Sequence, residues 1–234
     1  MKKIIFRPSL ADNHIFVAPP KPANFYKAEW YEKISAFYNE EEIYGEGHFD
    51  NLTIKHCVPF RDSLFAGYIQ ESWQDIHFSI NEDNGMINYR FPSAPEIINH
   101  REHSTLPMGE EYHPAEFVIK MPWAAETPAG WSILVTQPFN RPELPFYVPS
   151  AIIDSDKLTN TTGDANIPFY LRKDATGLIK AGTPMYQMIP FKRDSWKSEI
   201  AEFDGDLHKK TWAVTKQHFW GGYKKHFWQK KTYK

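Results

Sequence analysis

The stretch Glu116-Phe-Val-Ile-Lys-Met-Pro-Trp-Ala-Ala-Glu-Thr-Pro-Ala-Gly-Trp-Ser-Ile-Leu-Val-Thr-Gln137 decides the fold class. Residues 116–121 and 131–137 are apolar runs of strand length, and Thr127-Pro-Ala-Gly130 between them supplies the turn chemistry that punctuates strands. The same grammar extends in both directions. Upstream, 52–57, 66–69, 76–80 and 86–91 read as strands bounded by Asp, Asn, Gly or Pro. Downstream, 146–153, 167–171 and 185–191 do so, the last after Lys180-Ala-Gly-Thr183. Glu82-Asp-Asn-Gly85 predicts a hairpin, because Asn-Gly adopts the positive φ angles such turns require. Many short strands without intervening helices predict an all-β sandwich, jelly roll or closed barrel in place of an α/β fold.

The flanks read differently. Pro8, Pro19, Pro20 and Pro22 exclude regular helix from the first 27 residues and favour an extended arm with one short strand at 3–7. Trp30, Ile34, Phe37 and Tyr38 recur at helical spacing and predict one early helix over 28–38. Residues 93–113 hold His100, His103 and His113 with little periodicity, which predicts an irregular surface excursion. Beyond Asp206 no further acidic residue occurs, while eight lysines alternate with Trp212, Phe219, Trp220, Tyr223, Phe227, Trp228 and Tyr233. Their spacing predicts a basic, aromatic helical tail, divided where Gly221-Gly222 removes about 2 kcal/mol of helix propensity. The expected organisation is an arm over 1–27, one β-domain over 28–206 and a tail over 207–234.

Composition narrows the class of function. Hydrophobic residues at 41% and aromatics at 16% supply a core and exclude a disordered body. A formal charge of -2, from 29 acidic and 27 basic side chains, sets up no global field towards nucleic acid or membrane, so neither is expected as a partner. Cys57 is the single cysteine and suits a reducing compartment as a small buried hydrophobe. Met-Lys-Lys-Ile-Ile-Phe-Arg at the start is too short an apolar run for a secretory signal, so export by that route is not expected.

Two resemblances rest on particular residues. Ala151-Ile-Ile-Asp-Ser-Asp156, residues 167–172, and Ile179-Lys-Ala-Gly-Thr-Pro-Met-Tyr-Gln-Met-Ile189 resemble the third-motif region of trimeric dUTPases and related dCTP deaminases. Thr127-Pro-Ala-Gly-Trp-Ser-Ile-Leu-Val135 is similar to the turn and strand entering that family's second motif. The resemblance implies a β-clip fold and gives Asp154 the role of positioning the water that attacks a nucleotide phosphate. Lys157 stands where that family carries a Tyr that stacks on the base. A broader resemblance joins Glu29-Trp-Tyr-Glu-Lys-Ile34, Thr53-Ile-Lys-His-Cys-Val-Pro-Phe-Arg-Asp-Ser-Leu64, Ala66-Gly-Tyr68, Thr127-Pro-Ala-Gly-Trp-Ser132 and Gly182-Thr-Pro-Met-Tyr-Gln-Met-Ile-Pro-Phe-Lys-Arg193 with Trp196. These are similar to an uncharacterised family of tailed-phage proteins. It implies a phage gene product acting in the cytoplasm of an infected bacterium or in a virion.

Other constellations compete for chemistry. His48-Phe-Asp50 matches the His-x-Asp pair that, with a distant His, holds Fe(II) in 2-oxoglutarate oxygenases, with His100, His103 or His113 to complete the triad. His100, His103 and His113 together could alternatively frame a zinc site. None of the three histidines sits in the strand-then-Arg context that binds the co-substrate, and the zinc set has no ligand-spaced partner, so no cofactor or metal is expected, and His48 and Asp50 remain the only metal candidates. Cys57 and His56 read as strand neighbours on opposite faces, unable to act as a nucleophile pair. The expected fold is an all-β jelly-roll or dUTPase-like β-clip domain. The expected function is non-enzymatic: binding a viral or host protein, with possible self-association as a homo-oligomer, through the tail residues Trp212, Phe219, Trp220, Tyr223, Lys224, Lys225, Phe227 and Trp228.

Overall fold

Apolar runs broken by Pro and Gly become short antiparallel strands in the computed structural model, which describes residues 2–9, 13–39, 51–81, 87–92, 96–101, 104–158, 166–174, 177–217 and 221–234. The described strands are β1 (Ile5–Pro8), β2 (Lys21–Pro22), β3 (Tyr68–Glu71), β4 (Ile76–Ile80), β5 (Ile87–Arg90), β6 (Ile98–Arg101) and β7 (Glu116–Lys120). They continue with β8 (Trp123–Glu126), β9 (Trp131–Thr136), β10 (Phe146–Tyr147), β11 (Ala151–Ile153), β12 (Asn166–Leu171), β13 (Gly177–Ile179) and β14 (Pro184–Lys192). Helices are few: α1 (Asn13–Phe16), α2 (Glu29–Lys33), α3 (Val58–Leu64), α4 (Gly205–Gln217) and α5 (Gly222–His226). The mostly-β character read from the sequence is what the chain adopts.

The chain forms two compact units, Met1–Tyr26 with Gly67–Arg193, and Lys27–Ala66 with Asp194–Lys234. The breaks fall at 26/27, one residue from the expected 27/28, and at 66/67 and 193/194, with none at 206/207. All the described strands lie in the first unit, as four sheets ordered β1-β8, β10-β12-β7-β6, β11-β9-β14-β3-β2 and β13-β4-β5. Register sets which side chains share a face: Phe169 opposes Phe117, and Ile119 lies between Ile167 and Ile98. Phe117 packs on Phe169 at 5.4 Å and meets Phe78 of β4 edge-on at 5.5 Å, so separate sheets contribute to one core. Two strand prolines obey the ladder rule. β10 pairs only with Leu171 and Tyr170, and β3 reaches only as far as Met188, so Pro168 and Pro190 each sit where one side of the strand is already an edge.

The second unit is built around Ala28, Tyr31 and Leu64, with Trp30, Phe60 and Phe65 packed against them. Trp30 and Tyr31 each lie 6.0 Å from Phe60.

The structure corrects several expectations. The early helix is shorter than 28–38: Ile34 has extended angles, and Phe37 bridges Leu52. Residues 52–57 form no strand. After the Leu52 bridge, Thr53 accepts a hydrogen bond from the Lys55 amide and opens a 3-10 turn over Ile54–His56, and α3 comes next with Pro59 in its first turn. Cys57 is therefore a helix cap and only half-buried. The excursion over 93–113 contains β6, which pairs with β7. Residues 146–153 split at Val148-Pro-Ser150 into β10 and β11, which belong to different sheets. The N-terminal arm is not separate, since β1 pairs with β8 and β2 with β3, and α1 fits between Pro8 and Pro19. The 82–85 turn lies outside the described residues, although β4 and β5 do pair antiparallel with Ile80 opposite Ile87.

Candidate functional site

At the end of β11 the chain turns sharply, with the Lys157 and Leu158 amides both donating to the Asp154 carbonyl at 3.0 Å. The Asp154 side chain accepts from the Ser132 hydroxyl at 2.7 Å and pairs with Arg193 at 2.9 Å. Asp156, its side chain only 3% exposed, accepts from the Gly130 amide at 2.8 Å and from Arg193 Nη1 at 2.9 Å, and also pairs with Arg193 Nη2. Gly130 occupies the positive-φ position that the Pro128-Ala-Gly turn needs, and its carbonyl accepts from the Arg193 amide at 2.9 Å. Hydrogen bonding, from Ser132 first and then Arg193 for Asp154, and from Arg193 first and then Gly130 for Asp156, holds both carboxyls below the ordinary aspartate range. The two carboxylates thus clamp the β9 turn, the end of β11 and the end of β14. Asp154 is held through Oδ1 by Ser132 and Arg193, while its side chain is 62% exposed.

The tail begins as a capped helix. The Asp204 carboxylate accepts from the Leu207 amide at 2.9 Å and the Asp206 amide at 3.1 Å, satisfying donors that a helix start leaves open. α4 is described as far as Gln217, and α5 opens at Gly222 with the non-helical Gly221 before it. α5 and the residues after it fold back within the second unit: Trp228 Nε1 donates to Asp62 at 2.8 Å and Lys231 Nζ at 2.7 Å. Trp212, Tyr223 and Phe227 keep much of their surface in water, and Lys224 and Lys225 are exposed beside them. Phe219 and Trp220 lie outside the described residues.

Ahead of α4, residues 194–204 form no helix or strand. Within them Trp196 is 90% exposed and Ile200 100%, Phe203 comes next with its face open, and Leu207 continues the row onto α4. Acidic residues alternate with these anchors at Asp194, Glu199, Glu202, Asp204 and Asp206, with Lys197 the one cation among them. Exposed large apolar side chains are thus gathered in one short stretch of the chain.

No family model and no curated protein matches this chain.

The structure also places the remaining candidates. His48, Asp50 and His103 lie outside the described residues. His100 projects from β6, and its Nδ1 is 3.2 Å from the Tyr89 hydroxyl. His113 is buried in the wall of a cleft of the first unit whose lining includes neither Asp154 nor Asp156. Among the described residues no three or more His, Cys, Asp or Glu side chains are grouped to hold a metal, and no helix is long and apolar enough to cross a membrane. Sequence reasoning missed the 194–207 row and the clamp's third member. Arg193 closes a motif without any local sign that it faces Asp154 and Asp156. The row was legible in principle as four large apolar residues in a run otherwise rich in acids.

Proposed function

We propose that this protein is a phage component that works by binding another protein, in an infected bacterium or in a virion, and that residues 194–212 with the tail are its contact surface. The observation that carries the reading is the row Trp196, Ile200, Phe203, Leu207 and Trp212, all exposed on the second unit. Burying one such side chain stabilises an association by about 1.5–3 kcal/mol, so a few of them supply the central anchors of an interface. Charge gives the partner its chemistry. The acidic run 194–206 suits apolar pockets rimmed by cations, and the eight lysines after it suit an acidic neighbour. One copy carries both signs, which also favours self-association.

A jelly-roll or dUTPase-like β-clip relationship is the finer fold reading. It is supported by the adjacency of β11, β9 and β14, which carry three of the resembling segments, while residues 167–171 lie on β12 of another sheet. The protein-binding function does not depend on it.

The test is a triple variant, Trp196→Ser, Ile200→Ser and Phe203→Ser, compared with the unaltered protein by sedimentation and by affinity capture from infected cells. These side chains belong to neither core cluster, so the melting temperature should hold within experimental error while self-association and specific partners are lost. A variant that retains every association of the unaltered protein overturns the proposal.

A further inference from the structure

Residues 104–114 fold over the end of β12 and leave a cleft of about 440 Å³ in the first unit. Backbone bonds fix its shape. The His113 amide donates to the Leu171 carbonyl at 2.9 Å, the Lys173 amide to Glu111 at 2.8 Å, and the Tyr112 amide to Gly109 at 3.1 Å. Tyr112 bridges Arg172, and the Thr105 amide and hydroxyl both donate to the buried Glu116 carboxylate. A cleft held this way needs no ordering when a ligand enters, which removes one of the main costs of binding.

Its lining divides by chemistry. Leu106, Pro107, Met108 and Pro114 give an apolar wall, while Lys173 and Glu110 stand with Tyr112 among the polar groups. His113 is only 8% exposed, and among the described residues its ring has no hydrogen-bond partner. Its nitrogens are not among the polar atoms sealed from water, so they stay open to solvent, and a ligand atom entering the cleft would take the place of that water. Burial first, and then the charge of Lys173, keep its pKa below the ordinary histidine value. The ring is therefore neutral at pH 7 and offers one N–H donor. Lys173 is exposed and brings a positive charge to the same opening. Apolar walls with a few convergent polar groups are the usual composition of a small-molecule site.

We propose that this cleft binds a small organic oxyanion, a carboxylate or phosphate carried on an apolar or aromatic body, with Lys173 meeting the charge, His113 donating to an anionic oxygen, and Leu106, Pro107 and Met108 covering the body. The site is independent of the 194–212 surface and stands or falls separately from it.

The experiment tracks the His113 ring resonances of the full chain by NMR, assigned by their disappearance in His113→Gln, during titration with benzoate, phenyl phosphate and benzyl alcohol. The expected result is a saturable shift with at least one of the two oxyanions, the tighter of them naming the headgroup, and none with the alcohol. Lys173→Ala, at an exposed position, should weaken that binding by roughly tenfold or more while leaving the fold intact. The proposal is overturned by no saturable shift with either oxyanion, by benzyl alcohol binding as well as they do, or by Lys173→Ala binding as tightly as the unaltered protein.

Discussion

Neutralising Glu116 is the most exacting probe of how the first unit is held together. This carboxylate is fully buried at the start of β7. Its Oε1 accepts from Arg101 at 2.6 Å, and its Oε2 accepts from the Thr105 amide at 2.8 Å and the Tyr170 hydroxyl at 2.6 Å, with the Thr105 hydroxyl as a further donor. Glu116→Gln preserves the shape but leaves one position holding an NH₂ that faces donors. Arg101 is 46% exposed and can turn towards water, so the amide nitrogen is accommodated on that side and the three Oε2 bonds survive as neutral ones. A hydrogen bond to a charged group contributes about 1.5–3 kcal/mol against about 1 for a neutral pair, so the loss should be about 2–4 kcal/mol. At about 2–4 °C per kcal/mol for a chain of this size, the melting temperature should fall by roughly 5–15 °C. Calorimetry or fluorescence-detected melting reads it directly, and hydrogen exchange at the Thr105 amide should accelerate. The sign with pH is fixed: these bonds hold the Glu116 carboxyl below the ordinary glutamate range even against the burial that raises it. Its contribution is therefore complete above the unfolded pKa of about 4.3 and lost as pH falls through the lower folded value. The gap between Gln variant and parent should accordingly narrow in acid. A Gln variant that melts with the parent at pH 7, or a gap that widens in acid, refutes the reasoning.

Two further perturbations separate backbone strain from packing, and tail docking from tail length. Gly67 has φ +66 and a Cβ there would lie 2.0 Å from the Met188 carbonyl oxygen, whereas Gly130 has φ +81 and no described atom within 4 Å of its Cβ. Gly130→Ala should therefore lose only the left-handed penalty of about 1–2 kcal/mol, and Gly67→Ala should lose about 1–3 kcal/mol more through overpacking; equal midpoints in urea would refute this. Asp62→Ala removes the acceptor for Trp228 and Lys231, so limited trypsin treatment should cut at Lys230 and Lys231 faster than in the parent, and unchanged cleavage would show that other contacts hold the tail.

Strand identity was legible wherever a strand is buried on both faces or bounded by a turn residue. β4, β7, β9, β12 and β14 fall within a residue or two of the positions read from apolar runs, because Val, Ile and Phe between Gly and Pro leave few other conformations. The reading failed where the decisive partner was remote. Leu52 to Cys57 is apolar enough for a strand, but only Leu52 finds a bridging partner, and Thr53 and Pro59 bias the next residues towards helix. β6 reads Ile-Asn-His-Arg and becomes a strand because β7 offers it an edge. β8, Trp-Ala-Ala-Glu, has no strand propensity to notice and is completed by β1, more than a hundred residues earlier. Composition likewise could not show that the Pro-rich arm is fastened. Lys21 and Tyr26 both reach Glu71, and burial together with that carboxylate raises the tyrosine's pKa strongly.

The same asymmetry governs the functional residues. In the first unit the acidic side chains that motif reasoning singles out have partners inside the fold: Asp154 and Asp156 hold Arg193, Ser132 and Gly130; Glu116, which no motif marks, likewise holds Arg101, Thr105 and Tyr170. Asp156 and Glu116, buried and bonded by several donors of their own chain, are stabilised as anions and tied in place, whereas the Asp154 side chain is held through Oδ1 and stays largely in water. A motif reports residue types, and the identical Ile-Asp-x-Asp string can serve either end depending on whether an arginine such as Arg193 arrives from elsewhere. In the second unit the position is reversed. Trp196 and Ile200 stand almost wholly in water between acidic neighbours, on a segment with neither helix nor sheet to explain them. Where internal contacts account for a group, its identity is explained by stability; the exposed apolar row along 194–207 is instead the observation on which the proposed contact surface rests.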